Sequence, residues 1–99
     1  MILHNWTDEK CIKLLKNCYK AIPKDGKVIV MDVIVPHKPD TNSTTEKCIC
    51  ALNEIMMTQN PGGKERSKEE FLALATSAGF TGIRFQCCVI YFTVMEFFK

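Results

Sequence analysis

The chain has 99 residues, 46% of them apolar and 24% charged. That is the usage of one globular domain or a piece of one, and it excludes a disordered segment and two independent cores. Thirteen Lys and Arg against eleven Asp and Glu leave a formal charge of +2, too even a balance to point to nucleic acid or an anionic membrane. No apolar run is long enough to span a membrane, and Met1 to Trp6 lacks the basic start and long apolar stretch of a secretory signal.

In chain order, Ile2 and Leu3 read as the end of an element that runs directly into His4-Asn5-Trp6. Thr7 is the expected N-cap of a helix over 7–22, with Asp8 and Glu9 in the first turn, where carboxylates favour the helix dipole. Cys11, Leu14, Leu15, Cys18, Tyr19 and Ile22 form its apolar stripe. Lys10, Lys13, Lys16 and Lys20 occupy other angles and read as a solvated face. Pro23-Lys24-Asp25-Gly26 turns the chain. Val28-Ile29-Val30-Met31 then continues past Asp32 into Val33-Ile34-Val35. So continuous an apolar, largely β-branched run predicts a strand over 27–35 buried on both faces, as in a parallel sheet. Asp32 is the anomaly within it, because a buried carboxylate is costly unless it is paired, hydrogen-bonded or open to a site.

Residues 36–43 read as a loop, and Ser43-x-x-Glu46 as a capping box opening a helix over 44–58. A Gly-Gly loop follows, and Ser67-x-x-Glu70 is a second capping box for a helix over 68–78. Phe71, Leu74, Ala75 and Ala78 mark its buried face, and Gly79 followed by Phe80 ends it. Strands are expected over 82–88 and 92–98. Helices and strands in this order predict an α/β fold.

Six cysteines form no Cys-x-x-Cys pair, and His4 and His37 stand at no finger-like spacing from them. They read as reduced thiols acting as small buried or half-buried hydrophobes, in a chain whose expected location is the cytoplasm.

Three residues stand out for chemistry. His4 follows an apolar dipeptide, Asp32 ends a buried strand, and Glu65 lies in the Gly-Gly loop between Lys64 and Arg66. If Ile2-Leu3 ends a strand, His4 and Asp32 both lie at the carboxyl ends of strands, where α/β sheets bind ligands. One imidazole with two carboxylates is a general-base set. Spacing alone leaves other readings open. His4 could be a surface histidine, Asp32 a cap on backbone amides, and Glu65 an ion-pair partner of Lys64 or Arg66. Periodicity assigns Met56 and Met57 to a core, and leaves Trp6 to core or site.

Several blocks occur in a telling order: His4-Asn5-Trp6-Thr7-Asp8-Glu9, Leu15-Lys16-Asn17-Cys18, Gly26-Lys27-Val28-Ile29-Val30, Asn60-Pro61-Gly62-Gly63-Lys64-Glu65-Arg66, Ala78-Gly79-Phe80 and Val94-Met95-Glu96-Phe97. Together they resemble the C-terminal part of the plant small-molecule O-methyltransferases of the caffeic acid, flavonoid and alkaloid type, over essentially the whole chain. The resemblance implies residues 1–99 are part of a Rossmann-like class I methyltransferase domain, whose last strand lies antiparallel between its two neighbours. It also implies S-adenosylmethionine as cofactor, a small phenolic acceptor, and a homodimer for the full-length family. His4 falls on the family's base, Asp32 and Glu65 on its two acidic partners, and Met56 and Asn60 on acceptor contacts. No metal is implied.

The departures bear on activity. The family's glycine-rich cofactor loop and its N-terminal dimerisation domain have no counterpart here, and no Gly-x-Gly occurs. Met1 stands where the family usually has an aromatic residue, and Asn5 where it usually has Asp. The resemblance therefore implies a piece of an enzyme carrying the base without the cofactor site, inactive by itself. The alternative is a non-catalytic remnant or interaction module.

Overall fold

The computed structural model describes residues 2–35, 44, 47–51, 55, 62–89 and 92–99. A single turn of 3-10 helix, Leu3–Asn5, leads into helix α1, Asp8–Ala21. Thr7 caps α1 by accepting from the Lys10 amide, and Asp8 and Glu9 occupy the first turn. Strand β1 is Lys27–Val33, helix α2 is Lys68–Ala78, and strands β2 and β3 are Gly82–Val89 and Phe92–Phe98. Ser67 and Glu70 form the expected reciprocal capping box on α2. Gly79 ends α2 at a φ of 107°, a left-handed conformation that favours glycine. Residues 47–51 are helical, inside the helix expected over 44–58. The capping box at Ser43 and the positions Met56 and Asn60 lie outside the described residues.

The sheet order is β1-β3-β2, with β3 antiparallel to both neighbours. The final strand thus lies in the middle, as the family resemblance implies. Rungs such as Val28–Phe97–Ile83 and Val30–Met95–Phe85 face the helices. They join Leu15, Phe71, Leu74, Ala75 and Phe80 in one apolar core. Phe80 meets Tyr19 and Phe97 edge-on, at centroid distances of 5.2 and 5.6 Å, each pair adding about 1 kcal/mol beyond area burial.

Three expectations need correction. First, β1 is not covered on both faces. Among the described residues it pairs only with β3, and Ile29 and Met31 point away from the helices at 57% and 49% exposure. An apolar run reports the surroundings a strand is suited to, and here the second layer is not part of the described residues. Second, Ile2-Leu3 is not a strand end, because Asn5 and Trp6 donate to the Ile2 and Leu3 carbonyls and close a helical turn instead. Third, Cys87 and Cys88 are exposed. An irregularity between Phe85 and Cys87 shifts the register, so Cys87 pairs with Val94 on the sheet face away from the helices.

Candidate active site

His4 lies within the 3-10 turn, Asp32 in β1 one residue before its end, and Glu65 in the segment leading into α2. These three come from distant parts of the chain and converge. His4 Nδ1 lies 2.8 Å from Glu65 Oε1 and 4.0 Å from Asp32 Oδ1. The first distance is a hydrogen bond and the second an ion-pair contact. His4, Asp32 and Glu65 are only 8%, 0% and 5% exposed, so His4 is not a surface histidine. Asp32 shares its face of the sheet with the apolar Val28 and Val30, because side chains two apart lie on one side of a strand. Its Oδ1 accepts from the Val33 amide at 2.9 Å, so it also does the amide-capping work that the sequence allows. Asp32 Oδ2 is buried and meets no hydrogen-bond partner among the described residues, a cost that a role in a site would explain.

Glu65 pairs with His4. Lys64 reaches Glu70 at 2.6 Å, and Arg66 reaches Asp8 at 2.8 Å. Burial pushes the Glu65 carboxyl above the usual glutamate range, and the His4 hydrogen bond offsets part of that rise. A desolvated carboxylate gains most when its neighbour becomes positive. With Nδ1 committed to Glu65, Nε2 is the ring nitrogen left to take a proton from a bound molecule. The arrangement can therefore act as a base and hold the resulting imidazolium between two carboxylates.

The loop reaches His4 through a close approach. Gly62 has a φ of 81°, and a Cβ there would collide with the Thr7 methyl group. From this approach the Lys64 amide donates to the His4 carbonyl at 2.9 Å. Arg66, which the sequence reading considered only as an ion-pair partner of Glu65, is 1% exposed. Its Nη1 donates to the Leu3 carbonyl at 2.7 Å and its Nη2 to the Trp6 carbonyl at 2.8 Å. Its position beside an acidic residue in a glycine loop was the available signal, but nothing in the sequence indicates that its partners are carbonyls some 60 residues away. Trp6 itself is exposed, with the Lys10 ammonium 5.0 Å from its ring centroid.

Gly26, Gly62 and Gly79 do not form a cofactor cradle. A Cβ at Gly26 would meet Pro23 and Ile22, one at Gly62 would meet Thr7, and one at Gly79 would contact Tyr19, whereas one at Gly82 would meet nothing within 4 Å. Each of these close approaches is to the protein itself.

The family model for the O-methyltransferase domain matches residues 1–81. Catechol O-methyltransferase 1 of Solanum lycopersicum is 58% identical over 98 residues, covering 99% of this chain and 26% of its own length. Anthranilate N-methyltransferase of Ruta graveolens is 51% identical over the same length, again covering 99% of this chain and 27% of its own. The chain thus spans about a quarter of the length of these relatives. Human N-acetylserotonin methyltransferase, solved in complex with S-adenosylmethionine, superposes with a TM-score of 0.85 at 24% identity, over 100% of this chain and 27% of that one. The fold is that of the class I methyltransferases, and S-adenosylmethionine is the family's cofactor.

Proposed function

This chain belongs to the O-methyltransferase family, and from that premise we propose that residues 1–99 are the base-carrying part of a catalytic domain that methylates a phenolic hydroxyl of a small molecule. The observation that carries this reading is the 2.8 Å bond between His4 Nδ1 and Glu65 Oε1, with the Asp32 carboxylate 4.0 Å away. A phenol with a pKa of about 10 is neutral at pH 7, so its oxygen is a poor nucleophile until a base removes the proton. His4 Nε2 takes that proton. Glu65 holds the ring in the tautomer with the proton on Nδ1, and both carboxylates then stabilise the imidazolium. S-adenosylmethionine supplies the electrophilic methyl group when bound. Gly26, Gly62 and Gly79 pack against the protein itself and offer no cradle for the donor. Met56 and Asn60 are proposed as acceptor contacts on the family resemblance alone. The six reduced thiols agree with a reducing, cytoplasmic setting.

An N-methyltransferase among the relatives means that family identity does not itself choose oxygen over nitrogen. The base does favour oxygen. An aromatic amine attacks through a neutral lone pair and needs no prior proton removal, whereas a phenol does.

The test is a chimera in which this segment replaces the matching region of the Solanum relative. His4→Gln should lower kcat about 100-fold, the scale of a lost general base, and change acceptor KM less than about threefold. Near-full turnover would remove His4 from the mechanism. For the 99-residue chain alone, calorimetric titration with S-adenosylmethionine should show no micromolar binding. Such binding would mean that these residues carry the donor site after all.

A further inference from the structure

His4 stands on a single 3-10 turn, closed by two backbone bonds, Asn5 N to Ile2 O and Trp6 N to Leu3 O. So short a turn has little capacity to hold a side chain in one place, and three-residue 3-10 segments have poor hydrogen-bond geometry. The site nevertheless requires His4 Nδ1 to stay on Glu65. Where the turn gets its rigidity is thus a question about its neighbours.

We infer that Arg66 is the positioning residue for the His4 base, its buried guanidinium gripping the backbone on both sides of the histidine and tying it to the segments that carry Glu65 and Asp32. Nη1 donates to the carbonyl of Leu3, immediately before His4, at 2.7 Å. Nη2 donates to the carbonyl of Trp6, two residues after it, at 2.8 Å. Nε and Nη2 both reach Asp8 Oδ1, at 3.0 and 2.8 Å, which fixes the fork against the first turn of α1. The Arg66 backbone faces the other way. It bridges to Ile34, and its carbonyl accepts from the Val35 amide at 2.8 Å, just beyond Asp32. Glu65, the His4 partner, is the residue before it in the chain. One residue therefore touches all three segments that build the site.

The chemistry requires an arginine. A planar guanidinium offers five donors in a fixed fork, and here it satisfies two carbonyls and a carboxylate at once. A lysine would retain the charge but would present one compact point of donation, leaving at least one of the carbonyls without its bond. Arg66 touches neither substrate nor reacting atoms in this scheme. It acts through His4, and its catalytic relevance rests on the general-base reading above.

Two measurements test the inference. In the 99-residue chain, proton–nitrogen spectra of the imidazoles report the Nδ1 bond directly, because the chain has only two histidines. Arg66→Lys should shift the His4 ring signals and lose its protected Nδ1 proton while thermal unfolding remains cooperative. Unchanged His4 signals in a folded variant would overturn the assignment. Where Arg66→Lys does not fold, Asp8→Ala removes the acceptor that both Nε and Nη2 use and is read in the same way: a shifted His4 ring supports the grip, and an unchanged one overturns it. In the chimera, Arg66→Lys should lower kcat about 10- to 100-fold, the scale of a misplaced catalytic group, with acceptor KM within about threefold. Added to His4→Gln it should cost less than about threefold more, since groups acting as a unit are not additive. A full multiplicative loss in that double variant would show a role independent of His4. Full turnover of His4→Gln would remove the base, and the ring spectra would still decide the grip.

Discussion

At the residue scale, Glu65 makes the site sensitive to pH in a direction that can be worked out. Burial raises its proton affinity in the folded state above that of an ordinary glutamate. Between the ordinary value and the raised one, the folded chain holds more protons than the unfolded chain, so stability falls as pH rises. The contribution is complete below the ordinary glutamate range and is lost as pH climbs through the raised value. Glu65→Gln should remove this decline, and thermal melts of both proteins at successive pH values would show it. An unaltered slope in the variant would mean that Glu65 is not the group responsible. His4, Asp32 and Glu65 were legible as candidate site residues because each broke a local pattern: a histidine beside an apolar dipeptide, a carboxylate in a β-branched run, an acid in a glycine loop. Their convergence was expected from the family resemblance and from placing His4 and Asp32 at strand ends with Glu65 on a loop over them, although His4 stands on a 3-10 turn and 61 residues separate it from Glu65. Arg66 was missed as an anchor because backbone carbonyls leave no trace in a sequence.

At the element scale, α2 illustrates how local chemistry fixes the end of a helix near the site. Ser67 accepts from the Glu70 amide at 3.2 Å, and Glu70 Oε1 accepts from the Ser67 amide at 3.1 Å. Ser67→Ala removes half of that box and should destabilise the chain by about 1 kcal/mol, read as a lower urea midpoint with an unchanged slope. Glu70→Gln keeps the acceptor for the Ser67 amide and loses the half-exposed Lys64 partner, so it should cost only about 0.5 kcal/mol at neutral pH. Burial pushes the Glu70 carboxyl up, but the Lys64 and Ser67 hydrogen bonds outweigh it and leave it below the usual range. That contribution is present above the ordinary glutamate range and disappears as pH falls, opposite in sense to Glu65. Caps and glycine stops were legible because their partners lie within a few residues. The burial of β1 and the outward turn of Cys87 were not, since each depends on what lies across the sheet.

At the scale of the whole molecule, the two faces of the sheet behave as different materials. On the helix side, Phe97 is fully buried in the middle strand, paired with Val28 and Ile83 and stacked edge-on against Phe80. On the opposite side, Ile29 and Met31 lie open, and a groove lined by Ile2, Leu14, Cys18 and Val28 separates α1 from β1, a strand that among the described residues pairs only with β3. A substitution on each face should therefore fail differently. Phe97→Ala leaves a cavity in the core and should cost about 3–5 kcal/mol, a large part of the roughly 5–15 kcal/mol that holds a small domain together. Ile29→Lys removes apolar surface that is already in water and should change stability by less than about 0.5 kcal/mol. Its effect should appear instead in association, because an exposed apolar edge strand pairs readily and a lysine on it discourages pairing. Urea unfolding and sedimentation velocity, run on both variants across a concentration series, separate the two outcomes. Phe97→Ala should lower the midpoint at every concentration, and Ile29→Lys should leave the midpoint alone while shifting the sedimenting population toward monomer. A large loss of stability from Ile29→Lys would mean that the face read as open is packed in solution.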